Sequence, residues 1–327
     1  MTEITATRTT SGEPARTGSK AIGRAARMHA IDSSTTLEEL VQLALTRSVN
    51  QILRQGVAVR DSDDPEDVHQ LRVGIRRLHS DLRTFSPILR SKPLRILRAN
   101  LQWLGASVGA LRDCDVLTKR LDSELLSLSR TNRSGIALLE ARLKDDHDVS
   151  HTGLLEVLES TRHHAVVESI TKLSDDPPIR SKSKREASRQ ASLSAPKFVQ
   201  PPWERLRAAV AGLGELPSDV ALHEVRILTK RCRYAAEAVA PVLPDAVPFA
   251  KALADLQTIL GDHHDTVVAE AWLVAAAIEA PESAPIAYDL VFRQRASRAR
   301  LRAAWPAVWE VASAEELRSW LRGATET

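Results

Sequence analysis

The segment VHQLRVGIRR at residues 68–77 returns as LHEVRILTKR at residues 222–231, aligning His69 with His223, Arg72 with Arg226, Arg76 with Lys230 and Arg77 with Arg231. A repeated apolar pattern would report only two similar packing faces. A repeated histidine with its cations points to a repeated site. A second echo follows each basic segment: VGALRDCDV at 108–116 resembles LGDHHDTVV at 260–268, so that Gly109, Arg112 and Asp113 match Gly261, His264 and Asp265. The offsets are 154 and 152 residues, a difference that one loop absorbs. Two matched motifs in the same order imply an internal duplication, and the chain must fold into something built twice.

Spacing says what is built. Positions i, i+3 and i+7 share one face of an α-helix, so His69, Arg72 and Arg76 form a stripe that Arg83 extends. His223, Arg226 and Lys230 form the corresponding stripe, but the position matching Arg83 is Glu237, so the copies agree over three turns and then diverge. Arg77 and Arg231 lie about 80° off the stripe and either rim the site or face water. Helix signals independent of the cations agree. Asp64 is a good N-cap, Pro65 suits the first helical position, and Glu66 and Asp67 favour the positive helix end. Val68, Leu71, Ile75, Leu78 and Leu82 mark an apolar core face. Pro217 and Ser218 start the second copy, with Leu222, Val225, Leu228 and Cys232 as its apolar positions.

The same reading along the chain predicts helices near 36–59, 65–89, 93–108, 111–128, 134–158 and 161–173, then 203–213, 219–240, 246–260, 263–279 and 283–322, the last broken near Pro306. Residues 1–33 read as a disordered basic tail and 174–202, rich in Pro, Ser and Lys/Arg, as a flexible linker. No segment alternates β-branched residues between hairpin turns. The predicted fold is all-α: two pseudo-symmetric antiparallel helical bundles from the internal repeat, spanning 34–173 and 203–323 and forming one unit.

Charge narrows the function. The formal excess of +3 is misleading, because residues 1–30 carry five Lys/Arg against two acids and residues 174–202 carry six against three. The helical remainder is therefore slightly acidic, and an anion site depends on cations sharing one surface. Aromatic residues make up 4% of the chain, too few for a base-stacking platform, which disfavours a nucleic-acid-binding protein. No run of about 18 uncharged apolar residues and no apolar leader core is present, so the expectation is a cytoplasmic protein with no membrane contact. Cys114 and Cys232 form no CxxC pair and read as small buried residues. His147, His151, His163 and His164 have no counterpart in the other half and read as surface histidines. Arg112-Asp113 is either part of the site or a buried pair tying helices together.

VHQLRVGIRRLHSDLRTF at 68–85, ALRDCDVL at 110–117, LHEVRILTKRCRYAAEAV at 222–239 and LQTILGDHHDTV at 256–267 resemble the CHAD domain, the conserved histidine α-helical domain, and the resemblance covers roughly residues 36–322. It implies an all-helical fold whose basic helices line a central groove that binds inorganic polyphosphate. The sequence offers no nucleophile with a base, glycine-rich phosphate loop or convincing metal cluster, so the expectation is binding without catalysis, metal or cofactor, with other polyanions taken weakly. Position by position the resemblance carries a ligand role to His69, Arg72, Arg76, Arg77 and Arg112 in the first half, to which helical spacing adds Arg83. In the second half it carries that role to His223, Arg226, Lys230, Arg231 and Arg233, with Tyr234 following. His263 and His264 fall where the family pattern varies.

The chemistry suits that ligand. A phosphate chain has no bases to read, and Arg offers a fork of donors to its oxygens while Lys offers a mobile point charge. Cations every three or four residues on a helix stand about 5–6 Å apart, a scale comparable to successive phosphates. An anion would also raise the histidine pKa values, so binding is expected to tighten on mild acidification. The enzymatic alternative is an HD-type metal-dependent phosphohydrolase using His223, His264 and Asp265. It needs clustered His and Asp ligands around a metal, whereas the first half has the cation Arg112 in place of His264.

Overall fold

Local signals set the first helices where their caps lie. The computed structural model describes residues 31–62, 64–128 and 133–324. In α1 (Leu37–Asp61), Thr36 and Glu39 form a reciprocal capping box. In α2 (Pro65–Thr84), Asp64 accepts from the Glu66 N–H at 2.8 Å and Pro65 opens the helix. The chain continues as α3 (Ser91–Leu128), α4 (Arg133–Glu159), α5 (Thr161–Asp175), α6 (Pro196–Ala211), α7 (Asp219–Val239), α8 (Ala246–Glu279) and α9 (Ala284–Ala312). Ser218 caps α7, accepting from the Ala221 N–H at 3.2 Å. The fold is all-α, and among the described residues pairing of the β type is limited to two isolated bridges, Thr36 with Gln190 and Leu89 with Ile179. All but the last three residues of the 1–33 tail lie outside the described residues.

Two predicted breaks are absent. The segments 93–108 and 111–128 are one helix, α3, and 246–260 and 263–279 are one helix, α8. Gly109 and Gly261 sit inside these helices, where the modest cost of a helical glycine is outweighed by packing on both sides. Proline is likewise carried within helices: α9 runs through Pro306 and ends at Ala312, and α6 begins at Pro196 and contains Pro201 and Pro202.

The expected flexible linker is instead packed. Residues 181–194 form short helical turns, and backbone bonds clip the segment to the start of the first half and to its α2–α3 connection: Arg180 N–H to Ile88 O at 2.8 Å, Arg90 N–H to Pro178 O at 2.8 Å, and Ala191 N–H to Thr35 O at 2.8 Å. Ile179, Ala187, Ala191 and Phe198 are buried in the same core as α1 and α2, and Phe198 meets the edge of Phe85 at 5.2 Å. These apolar residues are irregularly spaced among serines and cations, so no period reveals them.

Three apolar cores result. The first joins α1, α2, the start of α3, the end of α4 and α5; the second joins α6, α7, the start of α8 and the end of α9. The third draws on both halves of the chain: Leu121 and Leu125 of α3 and Leu139 of α4 pack with Leu273 of α8 and Leu290 of α9. The two-bundle picture therefore lacks a shared third core, which exists because α3 and α8 do not break at their glycines. The two basic helices, α2 and α7, contact each other.

Candidate functional site

Each basic helix meets the second motif of its own half. Arg72 donates to the Gly109 carbonyl at 2.9 Å and to Asp113 at 2.8 Å, binding α2 to α3. The Nε of Arg226 lies 3.8 Å from where a Cβ on Gly261 would stand. The Nδ1 atoms of His223 and His264 are 3.1 Å apart. Burial, then the Arg112 cation, holds His69 below the usual imidazole range. Burial, then Arg226 and His223, brings His264 down to about 4. Arg112 and Asp113 do not pair with each other: Asp113 faces Arg72, and Arg112 reaches Asp115 at 3.5 Å.

Beyond these ends, the stripes converge on a cleft of about 790 Å³ between α2, the start of α3 and α7. Arg76 and Lys230 stand on its walls with His79 and the buried Tyr234, whose hydroxyl accepts from Arg76 at 3.0 Å. Arg83 and Arg231 line it further along, opposite Arg95, Arg98 and Arg180. Among the described residues, none that lines it is acidic. The electrostatic cost is visible in the groups themselves. Burial, then Arg226, Arg76 and Arg72, brings the Lys230 ammonium down to about 7. Burial, then Arg83, brings His79 down to about 4. Burial lowers Arg83, with Arg231 next, and burial lowers Arg231, with Arg205 and Arg98 next. The Nε–H groups of Arg76, Arg98 and Arg226 are buried without a hydrogen-bond partner among the described residues. Buried donors without partners and like charges gathered in one place are the chemistry that an anion would relieve.

The structure divides the residues named from sequence. Arg76, Arg83, Lys230 and Arg231 line the cleft, and Arg72 and Arg226 are close enough to Lys230 to shift it. At the start of α2 His69 feels the Arg112 cation, and at the start of α7 His223 meets His264. Arg77 and Arg233 are occupied elsewhere: Glu237 accepts from Arg77 at 2.6 Å and lies 2.9 Å from the Arg233 Nε. The sequence motifs do not include Arg95, Arg98 and Arg180; Arg95 and Arg98 carry an i, i+3 signal in RILR, whereas Arg180 falls in the supposed linker. His263 is buried against Asp219 at 3.2 Å, and His163, expected at the surface, is buried beside Arg60 at 3.4 Å. Cys232 is buried, while Cys114 is half-buried against Ser150. His223 and His264 meet as the HD-type alternative requires, but no group of three or more His, Cys, Asp or Glu able to hold a metal is found among the described residues.

Residues 43–274 match the CHAD domain family. The fold is similar to the crystal structure of the CHAD domain from the plant Ricinus communis, with TM-score 0.69 and 28% identity, covering 91% of this chain and 95% of that one. PptA from Streptomyces chartreusis shares the fold with TM-score 0.70 and 24% identity, covering 84% of this chain and 100% of that one. Two curated relatives, the uncharacterized proteins MT2285 and Rv2226 from two strains of Mycobacterium tuberculosis, are each 29% identical over 272 residues, 79% of this chain. The chain spans about half the length of these curated relatives.

Proposed function

Because the chain belongs to the CHAD domain family, we propose that its acid-free cleft binds inorganic polyphosphate and carries out no reaction on it. The observation that carries this reading is the convergence of Arg76, Arg83, Arg98, Lys230 and Arg231 in one cavity whose lining contains no carboxylate. Such crowding disfavours the empty state, and a polyanion relieves it at several points at once. Phosphate suits the donors, since guanidinium forks bond its oxygens in pairs. Among the described residues the rings on the cleft wall are Tyr234, buried with its hydroxyl held by Arg76, and His79, which leaves little for nucleobases to stack upon. The family's association with polyphosphate agrees with this chemistry. The ligand would be a free polymer in the cytoplasm. Among the described residues no helix is long and apolar enough to cross a membrane.

Titration with long-chain polyphosphate at several salt concentrations tests the reading. Each cation engaged should add roughly 0.7 to the slope of log affinity against log salt, by analogy with single-stranded nucleic acid. Changing Arg72, Arg76, Arg226 and Lys230 together to Ala should flatten the slope by about 2–3 and weaken binding steeply, with the helical circular-dichroism spectrum retained. A salt-independent wild-type isotherm, or a folded quadruple variant that binds as well, removes the cleft as the site. Stronger binding of RNA than of polyphosphate at moderate salt would favour nucleic acid instead.

A further inference from the structure

The duplicated motif builds two hollows against the α2–α7 pair, and they differ in charge. The first is the basic cleft. The second, of about 360 Å³, is lined by the charged residues Arg47, Arg77, Asp81, Glu237 and Lys251, by Pro241 and by apolar side chains of α1, α7 and α8, and it shares Tyr234 with the first. The lining residues echo one another across the repeat. Arg77 aligns with Arg231, Glu237 with Arg83, and Pro241 stands 154 residues after Pro87, which lines the basic cleft.

The single exchange of Arg83 for Glu237 changes what each hollow offers. In the basic cleft, Arg83 and Arg231 face mainly other cations, with Glu224 the weaker acidic influence on Arg231. In the smaller hollow, the Glu237 carboxylate holds Arg77 at 2.6 Å and also faces Arg233, so two arginines of the motif already have their counter-ion. Asp81, buried beneath and bonded by Ser48 at 2.8 Å, adds a second carboxyl.

We propose that Glu237 is a specificity-determining residue that makes phosphate binding one-sided: it fills one of the two echoing hollows with an internal anion and leaves the other for the polymer. This rests on the polyphosphate reading and deepens it. A bound chain leaves the central cations Arg76 and Lys230 toward Arg83 and Arg98, because on the other side of Tyr234 the motif arginines Arg77 and Arg233 are engaged by Glu237.

The test swaps the charge at the two echoing positions and uses tripolyphosphate as the short probe and long-chain polyphosphate as the polymer. Wild type should bind one tripolyphosphate per molecule. Glu237→Gln releases Arg77 and Arg233 and should bind a second tripolyphosphate, with the long-chain salt slope steeper by about 1.4 for two added cations. Arg83→Glu gives Arg231 an internal counter-ion and should weaken binding about ten-fold more than Arg83→Ala, the order expected when one further charge-assisted hydrogen bond is removed. Unchanged stoichiometry and slope in folded Glu237→Gln overturn the proposal while leaving polyphosphate binding intact. Should that variant not fold, equal losses in Arg83→Glu and Arg83→Ala overturn it as well. Absence of any polyphosphate binding by wild type defeats the underlying reading and this proposal with it.

Discussion

Lys230 is the residue at which a pH dependence of the cleft is expected. Its ammonium is brought down to about 7 by burial and then by Arg226, Arg76, Arg72 and Arg231, from the usual 10.5. Between those values the unfolded chain keeps a proton on Lys230 that the folded chain releases. Stability from this group therefore rises with pH across that window, and below it the ammonium is charged in both states and its repulsion is felt in full. A bound polyanion acts the other way and favours the charged form. Binding near pH 8 should thus draw a proton onto Lys230, and affinity should fall as pH rises through about 7. Calorimetric titration in buffers of different ionisation enthalpy measures that uptake, and Lys230→Arg, which stays charged, should remove this part of it. Equal uptake by both proteins would assign the proton to another group. Histidine is the residue type from which sequence leads one to expect this response, but His79 and His264, at about 4, are neutral throughout the physiological range before ligand binds. The stripes His69–Arg72–Arg76 and His223–Arg226–Lys230 are legible because their spacing lies within one helix. The burial that tunes Lys230, and the company of Arg95, Arg98 and Arg180, arise only when other elements pack beside them.

At the scale of elements, glycine position separates close packing from mere helix length. Gly74 of α2 faces α1, where an added Cβ would come 3.1 Å from Ile52 Cγ1 and 3.3 Å from the Ile52 backbone nitrogen. Gly74→Val should therefore push α1 away from the helix that carries the first basic stripe and cost about 1–3 kcal/mol. Gly153 of α4 has nothing within 4 Å of its Cβ position, so Gly153→Ala should gain up to about 1 kcal/mol from helix propensity alone. Urea unfolding midpoints of the two variants should move in opposite directions, and a common direction would contradict the packing assigned to α1 and α2. Sequence does not make this distinction, and for the same reason it suggests breaks at Gly109 and Gly261. A glycine that ends a helix and one that sits inside it look alike until a neighbour is seen. Caps are legible where Asp64 and Ser218 stand directly before an apolar period. The packed segment around Ile179 is not, because it joins a core made by others through single, unevenly spaced residues.

At the scale of the whole molecule, the third core decides whether the halves are independent. Leu273 of α8 is fully buried there among residues of α3, α4 and α9, with Leu121 and Leu139 supplied by the first half. Leu273→Ala should remove about 2–5 kcal/mol, the usual range for truncating a core leucine. If the chain were two bundles joined by a linker, that destabilisation would fall on the second half alone. The packed 176–195 segment, the α2–α7 contact and the shared core all argue that it spreads. Native-state hydrogen exchange distinguishes the cases, since amides of α1 and of α6 are each remote from Leu273 and each lie in a different core. Under globally limited exchange, protection in both helices should fall by the same free energy, whereas a fall confined to α6 would show that the halves unfold separately. The outcome matters for the cleft, because its two walls, α2 and α7, come from different halves. Only a molecule that holds the halves as one unit can keep Arg76 and Lys230 crowded together before the anion arrives.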